Sequence, residues 1–364
     1  ADPFLPKKIE EGRIEDIREC IGCNICVTGD FLATPMRCTQ NPTMGEEWRK
    51  GWHPEIIPAK KSDESVLIIG AGPAGLECAR ALGQRGYSVT LAEASRELGG
   101  RVTHESRLPG LAEWGRVRDF RQVQISGMAN VETYLESRLH AEQVLEFGAG
   151  HVVLATGSKW RSDGVGRQNH AAIPGSDRAN IATPDDVIAG KNLSGPVVVF
   201  DDDHYYMGGV LAEKLRTDGH DVPLVTPAAD VSHWTHNTME QGRIQTRLLE
   251  LGVEIVALHN LAAIAEGEVE LACVYTGRRQ NHACGSLVLV TARLPEDSLY
   301  HALNEEWSAL AGAGIKSLTR IGDVLAPGTI AAAVYSGHRY ARELDEPVAE
   351  GVPFRRELPQ LADA

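Results

Sequence analysis

The chain has 364 residues, of which 43% are hydrophobic, and its formal net charge at pH 7 is −14. This length predicts two domains and an appendage, and the acidic balance disfavours nucleic acid and anionic membrane surfaces as partners. Because the sequence shows neither a membrane-length apolar run nor a signal peptide, we expect a protein of the reducing cytoplasm.

The first pattern along the chain is a set of four cysteines, Cys20, Cys23, Cys26 and Cys38, in the arrangement C-x2-C-x2-C-x11-C. Three closely spaced thiolates can hold three corners of a small cluster from one loop, and the fourth closes the last corner. A structural zinc site is the alternative, although such sites usually consist of two separated C-x2-C pairs. The spacing therefore favours a [4Fe-4S] cluster and, with it, electron transfer.

The second pattern is a Rossmann unit. The apolar run Val66 to Ile69 predicts a buried strand that leads into G-A-G-P-A-G, followed by a helix from Leu76 to Arg85 and a second strand from Tyr87 to Ala92. These glycines permit a tight turn, close approach of a diphosphate and close helix packing, while an acid after the second strand can accept a hydrogen bond from a ribose hydroxyl. The predicted nucleotide site comprises Gly70, Ala71, Gly72, Pro73, Gly75 and Glu93.

Later segments extend this unit into a pattern similar to flavoproteins with two dinucleotide domains. A strand from His151 ends in A-T-G-S, which contains Thr156, and a strand end at Arg320 to Asp323 precedes a helix from Thr329 to Leu344. Between them, a strand from Pro196 to Phe200, a helix and a further strand predict a second nucleotide-binding-like domain.

The turn of this second domain departs from a nucleotide site. Where glycines are expected, the sequence has Asp201, Asp202 and Asp203, followed by His204 and bulky aromatic residues. Carboxylates repel a diphosphate, and large side chains prevent the close backbone approach that glycine allows. We therefore expect this domain to keep the fold and to have lost NAD(P)H.

The predicted fold class is α/β, with an iron–sulfur loop followed by two Rossmann-like three-layer domains, the second inserted in the first. The predicted boundaries are residues 1–62 for a linker and cluster segment, 63–190 with 290–345 for the first nucleotide domain, 191–289 for the inserted domain, and 346–364 for an extended tail.

Several motifs together resemble one known family. The stretches C-I-G-C-N-I-C, P-M-R-C-T-Q-N-P, G-A-G-P-A-G, L-P-G-L-A-E-W and A-A-V-Y-S-G-H-R-Y-A-R-E-L-D are similar to the C-terminal half of the trimethylamine, dimethylamine and histamine dehydrogenases. The resemblance covers essentially the whole chain. It implies that the chain is part of a longer polypeptide whose N-terminal barrel, absent here, carries FMN and oxidises the amine.

The resemblance also implies the cofactors and partners. The four cysteines would ligate a [4Fe-4S] cluster that receives electrons from the FMN and passes them singly to an electron-transferring flavoprotein. The first nucleotide domain would hold ADP where related proteins hold FAD, with Leu98, Arg101, Thr156 and Asp323 completing the site. For Arg101, a contact with the phosphates or adenine and a surface salt bridge are equal alternatives. A homodimer is also implied.

Two other functions remain open from the sequence. The chain could be an FAD- and NAD(P)H-dependent reductase of the 2,4-dienoyl-CoA reductase type, which shares the layout but keeps glycines where this chain has aspartates. It could also be a nucleotide-binding scaffold with a structural cluster, in which case the cluster would be redox-silent.

Some conspicuous residues have two interpretations. His233 and His236, three residues apart, could pair on one helical face around a metal, but because no cysteine or carboxylate accompanies them at ligand spacing we favour a polar loop or domain interface. Arg116, Arg118 and Arg121 lie around a short predicted helix after L-P-G-L-A-E-W; they could guide an acidic partner, and we favour exposed, solvated charges.

Overall fold

A computed structural model describes residues 1–47, 49, 52–178, 180–305 and 307–346 of the chain. The tail predicted at residues 346–364 lies outside the described residues, except for Glu346. Among the described residues, no helix combines the length and the apolar character that crossing a membrane requires.

The helices have the following bounds: α1 (Leu5–Glu10), α2 (Ile25–Phe31), α3 (Pro73–Arg85), α4 (Arg101–Glu105), α5 (Arg116–Ser126), α6 (Ala141–Phe147), α7 (Pro184–Ile188), α8 (Met207–Thr217), α9 (Gln241–Glu250), α10 (Ser298–Glu305), α11 (Trp307–Gly312) and α12 (Ile330–Glu343). Short 3-10 helices cover Ile14–Asp16, Ala112–Gly115, His233–His236 and Gly322–Val324.

The strands have the following bounds: β1 (Val66–Ile69), β2 (Val89–Ala92), β3 (Val131–Tyr134), β4 (His151–Leu154), β5 (Ser158–Trp160), β6 (Ile181–Ala182), β7 (Val197–Asp201), β8 (Pro223–Val225), β9 (Glu254–Val256), β10 (His259–Ile264), β11 (Glu268–Cys273), β12 (Arg279–Ala283), β13 (Ser286–Val290), β14 (Arg293–Pro295) and β15 (Ser317–Arg320).

The chain forms two compact units. The first contains Ala1–Val102, Arg116–Gly157 and the described residues from Asp297 onward, and the second contains Thr103–Gly115 and Ser158–Glu296. The first unit has a parallel sheet in the order β15-β4-β1-β2-β3. The second has a parallel sheet in the order β6-β13-β7-β8-β9, with a three-stranded antiparallel sheet β10-β11-β12 and the antiparallel pair β14-β5.

The core of the first unit lies on both faces of its sheet. Val66 and Ile68 face a core that includes residues of α3 and α12, while Leu67 and Ile69 face a second core built with α6, α10 and α11. Successive side chains of a strand alternate between faces, so a continuous apolar strand is buried from both sides. The result is the three-layer α/β arrangement that the sequence predicts.

The core of the second unit joins its parallel and antiparallel sheets. Val198 and Phe200 of β7 pack in one cluster with Leu261 of β10 and Leu271 of β11. The mixed α/β class with parallel sheets is therefore confirmed in both units.

Element boundaries mostly follow the sequence. Strand β1 has the predicted bounds, whereas α3 begins at Pro73 rather than Leu76. Gly72 is its N-cap residue, and proline is well suited to the first turn of a helix because its missing N–H would have no helical partner there.

Candidate metal centre and nucleotide site

Left-handed residues shape the first cysteine loop. Gly22 has φ 67° and Asn24 has φ 52°, and α2 begins directly after this bend. These conformations turn the chain sharply between Cys20 and Cys26. The three cysteines of C-x2-C-x2-C therefore lie along one tight loop that continues into the first turn of a helix.

Two glycines bring the fourth cysteine back towards this loop. The backbone of Met36 passes so close to Gly29 and Gly45 that an added Cβ atom would lie 2.9 Å from the Met36 Cα at Gly29 and 2.0 Å from the Met36 carbonyl oxygen at Gly45. Gly45 also has φ 79°, which disfavours side chains. This close packing fixes the segment just before Cys38.

The four cysteines of this segment are all free thiols, and one of them has a perturbed pKa. Burial raises the pKa of the Cys23 thiol, and the neighbouring Cys38 and Cys20 raise it further, while a contact of 3.1 Å with the hydroxyl of Thr39 lowers it. Among the described residues, no three of the cysteine sulfurs lie within 4.8 Å of one another. Four thiolate donors suit either a zinc ion or an iron–sulfur cube, and the cysteine spacing in the sequence is what favours the cube.

A buried ionic network joins the cysteine segment to the nucleotide domain. Gln40, two residues after Cys38, accepts hydrogen bonds from Arg121 through its side chain at 3.0 Å and its backbone carbonyl at 3.1 Å. Arg121 donates in turn to the carboxylate of Glu77 on α3 at 2.8 Å, and Arg80 pairs with the same carboxylate at 2.6 Å. Burial raises the pKa of Glu77, but Arg80 and Arg121 outweigh this effect and hold it well below its usual range.

Helix α12 completes the network. The Nδ1 atom of His338 is 2.8 Å from the Glu77 carboxylate, and Arg342 donates to the His338 Nε2 atom at 3.0 Å. Burial lowers the pKa of His338 to about 4 although Glu77 opposes the shift, so the imidazole is neutral at pH 7. The interpretation of Arg121 as an exposed charge was wrong, because its side chain is fully buried and neutralised by Glu77.

The glycine turn has the geometry of a nucleotide site. An added Cβ atom at Gly70 would lie 2.4 Å from the Ala155 carbonyl oxygen, and one at Gly75 would lie 1.9 Å from the Gly70 carbonyl oxygen. By contrast, no atom lies within 4 Å of an added Cβ at Gly72. Gly70 and Gly75 are therefore required by packing, whereas Gly72 leaves open space at the N-terminus of α3, where a diphosphate would bind.

Glu93 stabilises the glycine turn by accepting hydrogen bonds from neighbouring residues. One carboxylate oxygen accepts from the Ala71 N–H at 2.7 Å, and the other accepts from the N–H and hydroxyl of Ser95, each at 2.8 Å. Since each carboxylate oxygen has two acceptor positions, a ribose hydroxyl can still bind. Ser95 was missed by the sequence analysis, although its position two residues after the acid is typical of a local side-chain contact.

The Leu98 to Arg101 segment lies beside the glycine turn. The Gly99 N–H donates to the Ala71 carbonyl at 2.8 Å, and an added Cβ at Gly100 would lie 3.1 Å from the Gly72 Cα. Leu98 packs against the core, and Arg101 is half-buried at the start of α4. Both residues thus lie close to the open space at Gly72.

The remaining predicted residues lie at the same edge of the sheet. Thr156 follows β4 and Asp323 follows β15, while the glycine turn follows β1. Because the strands are parallel, their carboxyl ends meet at one edge, where nucleotides bind in such sheets. Asp323 accepts a hydrogen bond from the Gly328 N–H at 3.1 Å. The predicted nucleotide residues are therefore brought together in one unit.

The corresponding turn in the second unit is filled by protein. Asp201 and Asp202 are fully buried at the end of β7, and an added Cβ at Gly208 would lie 2.4 Å from the Asp201 carboxyl carbon. One Asp201 oxygen accepts from the His204 N–H at 3.0 Å, and the other has no hydrogen-bond partner among the residues that the structure describes. Burial raises the pKa of Asp201 to about 7.

Aromatic side chains cover the start of α8. Tyr206 is the N-cap residue of this helix. The centroid of its ring lies 4.6 Å from that of Trp114 and 4.7 Å from that of Tyr205. The rings of Tyr205 and Trp234 are also 4.7 Å apart between centroids. The Tyr206 hydroxyl donates to Glu105 at 2.5 Å. A diphosphate at this helix N-terminus would have to displace the tyrosine.

The fold and the glycine turn define a Rossmann-type nucleotide-binding protein, with four free cysteines in one segment of the same unit. Residues 68–121 match the NAD(P)-binding Rossmann-like domain family, and residues 182–291 match the family described as OYE-like second alpha/beta domain.

Individual proteins narrow this class. The chain is 40% identical to dimethylamine dehydrogenase of Hyphomicrobium sp. (strain x), over 98% of this chain and 52% of that protein. It is 57% identical to the solved histamine dehydrogenase from Rhizobium sp. 4-9, with a TM-score of 0.96, over 100% of this chain and 56% of that one. It is 46% identical to the 6-hydroxypseudooxynicotine amine oxidase from Pseudomonas geniculata N1, with a TM-score of 0.91, over 94% of this chain and 51% of that one.

These similarities confirm the resemblance to the dimethylamine and histamine dehydrogenases. The chain spans about half the length of these relatives.

Proposed function

We propose that this chain is the electron-transfer portion of an amine dehydrogenase. A [4Fe-4S] cluster held by Cys20, Cys23, Cys26 and Cys38 would supply one-electron chemistry between an FMN-bearing barrel outside this chain and an electron-transferring flavoprotein. The Rossmann turn would hold ADP, and the assembly would be a homodimer. The observation that carries the proposal is the presence, in one compact unit, of four free cysteines around a left-handed bend and of an open glycine turn.

Hydrogen bonds around the cysteine segment support its proposed role in electron transfer. The buried network that includes Arg121 and Glu77 holds the segment next to Cys38 through the two hydrogen bonds from Arg121 to Gln40. Hydrogen bonds to the ligating sulfurs tune a cluster's potential, and the Thr39 hydroxyl at Cys23 and the Gly22 N–H at Cys20 are suited to that role.

The nucleotide site would be structural. A ligand that binds only the folded chain stabilises it by RT ln(1 + [L]/Kd), about 2.7 kcal/mol at a hundred times Kd. In the second unit, the buried acids and the cover of Tyr206 support the loss of NAD(P)H, so a bound nucleotide in the first unit would have no hydride to receive from this chain.

A pair of glycine variants tests the nucleotide site. Gly72→Ala places a methyl group in open space, so we expect the thermal stability of the nucleotide-free chain to be unchanged while ADP binding, measured by calorimetry, is lost. The matched variant Gly75→Ala forces contact with the Gly70 carbonyl and should destabilise the fold itself. Unchanged ADP affinity in Gly72→Ala would contradict the proposed position of the nucleotide.

The second candidate is the FAD- and NAD(P)H-dependent reductase. The intact glycine turn of the first unit favours it equally, because FAD and ADP share the adenosine diphosphate that this turn would bind. Cluster reduction by NADH or NADPH in the purified chain, together with released FAD, would establish that function instead. If neither dithionite nor an amine-reduced partner protein reduces the cluster, the chain would instead be a nucleotide-binding scaffold with a structural, redox-silent cluster.

A further inference from the structure

One group of potential metal ligands lies outside the sites described above, on the 3-10 helix His233–His236 of the second unit. The interpretation of the two histidines as lacking a carboxylate was wrong. The Nδ1 atom of His233 is 2.6 Å from Oδ1 of Asp230, and the Nε2 atom of His236 is 2.7 Å from Oδ2. One donor atom from each of the three residues lies within 4.8 Å of the others.

The helix type explains why the two histidines meet. A 3-10 helix has three residues per turn, so side chains at i and i+3 lie directly above one another, and the rings of His233 and His236 are 5.1 Å apart. Asp230 lies outside this helix, before the left-handed Ser232, and its carboxylate contacts both imidazoles. The sequence signal is D-x-x-H-x-x-H.

Buried and left-handed residues next to the two histidines fix the position of the 3-10 helix. Thr235, between the histidines, is buried and donates its hydroxyl to the Ser232 carbonyl at 2.7 Å. Ser232 has φ 50°, a left-handed conformation that turns the chain between Asp230 and the helix. The side chains of His233 and His236 remain 54% and 52% exposed, so an ion can reach them from solvent.

We propose that Asp230, His233 and His236 form a binding site for a divalent first-row transition metal of the Zn²⁺ class. Two imidazole nitrogens and one carboxylate oxygen are preferred donors of such ions, and three protein ligands leave a position for water. In the metal-free chain the aspartate bridges the two imidazoles. With metal–ligand bonds of about 2.0–2.2 Å, tetrahedral donors lie about 3.4 Å apart, so a shift of less than an ångström per group converts the hydrogen-bonded group into a ligand set.

The test compares metal content in variants of the full chain with its cluster in place, so that the cysteine thiols are not available to the probe. After anaerobic equilibration with Zn²⁺ at pH 7.5 and removal of excess ion, we expect the unaltered chain to retain one more zinc ion than the double variant His233→Asn, His236→Asn. Asp230→Asn keeps a hydrogen-bonding side chain but removes the charge, and should lower the zinc affinity by at least about tenfold.

A matched pair elsewhere in the chain supplies the control. His301 lies 3.2 Å from Asp297 and is 62% exposed, and within the described part of the chain this pair belongs to no group of three potential ligands. His301→Asn should therefore leave the zinc content unchanged. A second readout is protection of His233 and His236 by Zn²⁺ from diethylpyrocarbonate, followed by mass spectrometry of that peptide. Equal zinc content in the double variant and the unaltered chain, or no protection, would overturn the proposal, as would an equal loss in His301→Asn.

Discussion

Asp201 offers a sharp test of the structure of the second unit. Its carboxyl group is fully buried at the end of β7, where Asp202, Asp203 and His204 surround it. Burial raises its pKa from 3.8 to about 7. The folded chain therefore holds a proton that the unfolded chain releases between about pH 4 and pH 7.

The sign of the effect follows from this difference in protons. The contribution of Asp201 to stability is fully present below about pH 4 and is lost as the pH rises through about 7. A difference of about 3 pH units corresponds to about 4 kcal/mol, at 1.36 kcal/mol for each pH unit. Asp201→Asn cannot ionise, so it removes this pH dependence.

The assay is urea denaturation followed by tryptophan fluorescence, because the ring of Trp234 lies in the same unit. Between pH 4 and pH 8, the free energy of unfolding of the unaltered chain should fall by about 4 kcal/mol more than that of Asp201→Asn. Asp221→Asn, at an exposed position, is the matched control and should show no such difference. Parallel pH profiles for Asp201→Asn and the unaltered chain would refute the reasoning.

Three further predictions concern the first unit. Gly45→Ala should lower both the iron content and the melting temperature, because its Cβ would meet the Met36 carbonyl. Gly12→Ala is the control: Gly12 has a similar φ of 70° and no described atom near its added Cβ, so the variant should retain its iron and lose only about 1–2 kcal/mol of unfolding free energy. Equal iron in both variants would contradict the role of Gly45. Glu77→Ala leaves buried arginines unpaired and should cost about 3–5 kcal/mol in urea denaturation, whereas a loss below about 1 kcal/mol would show that the network is not required. Saturating ADP should raise the melting temperature of the unaltered chain, and no rise would count against a structural nucleotide.

Local patterns were sufficient to predict much of this fold. The strand Val66–Ile69, the glycine turn and the following helix depend on residues within one short stretch, so their spacing is informative without tertiary context. The same is true of the cysteine spacing, because the left-handed bend at Gly22 is local.

The features that were missed depend on contacts between distant segments. Glu77 follows Leu76 in an ordinary helical sequence, and its burial with Arg121 becomes evident only when α3 and α5 pack together. Arg121 looks like an exposed charge for the same reason. Asp230 was missed because the left-handed conformation of Ser232, which lies between Asp230 and the helix, is not evident from the residue spacing.

The most direct test of the central claim is a combined analysis of iron, acid-labile sulfide and released nucleotide in the chain purified without oxygen. The account predicts about four iron atoms and about four sulfides per chain, a reduced-state EPR signal that is lost when Cys23 is replaced by serine, and ADP without flavin in the acid extract. Zinc in place of iron, or FAD in the extract, would contradict it.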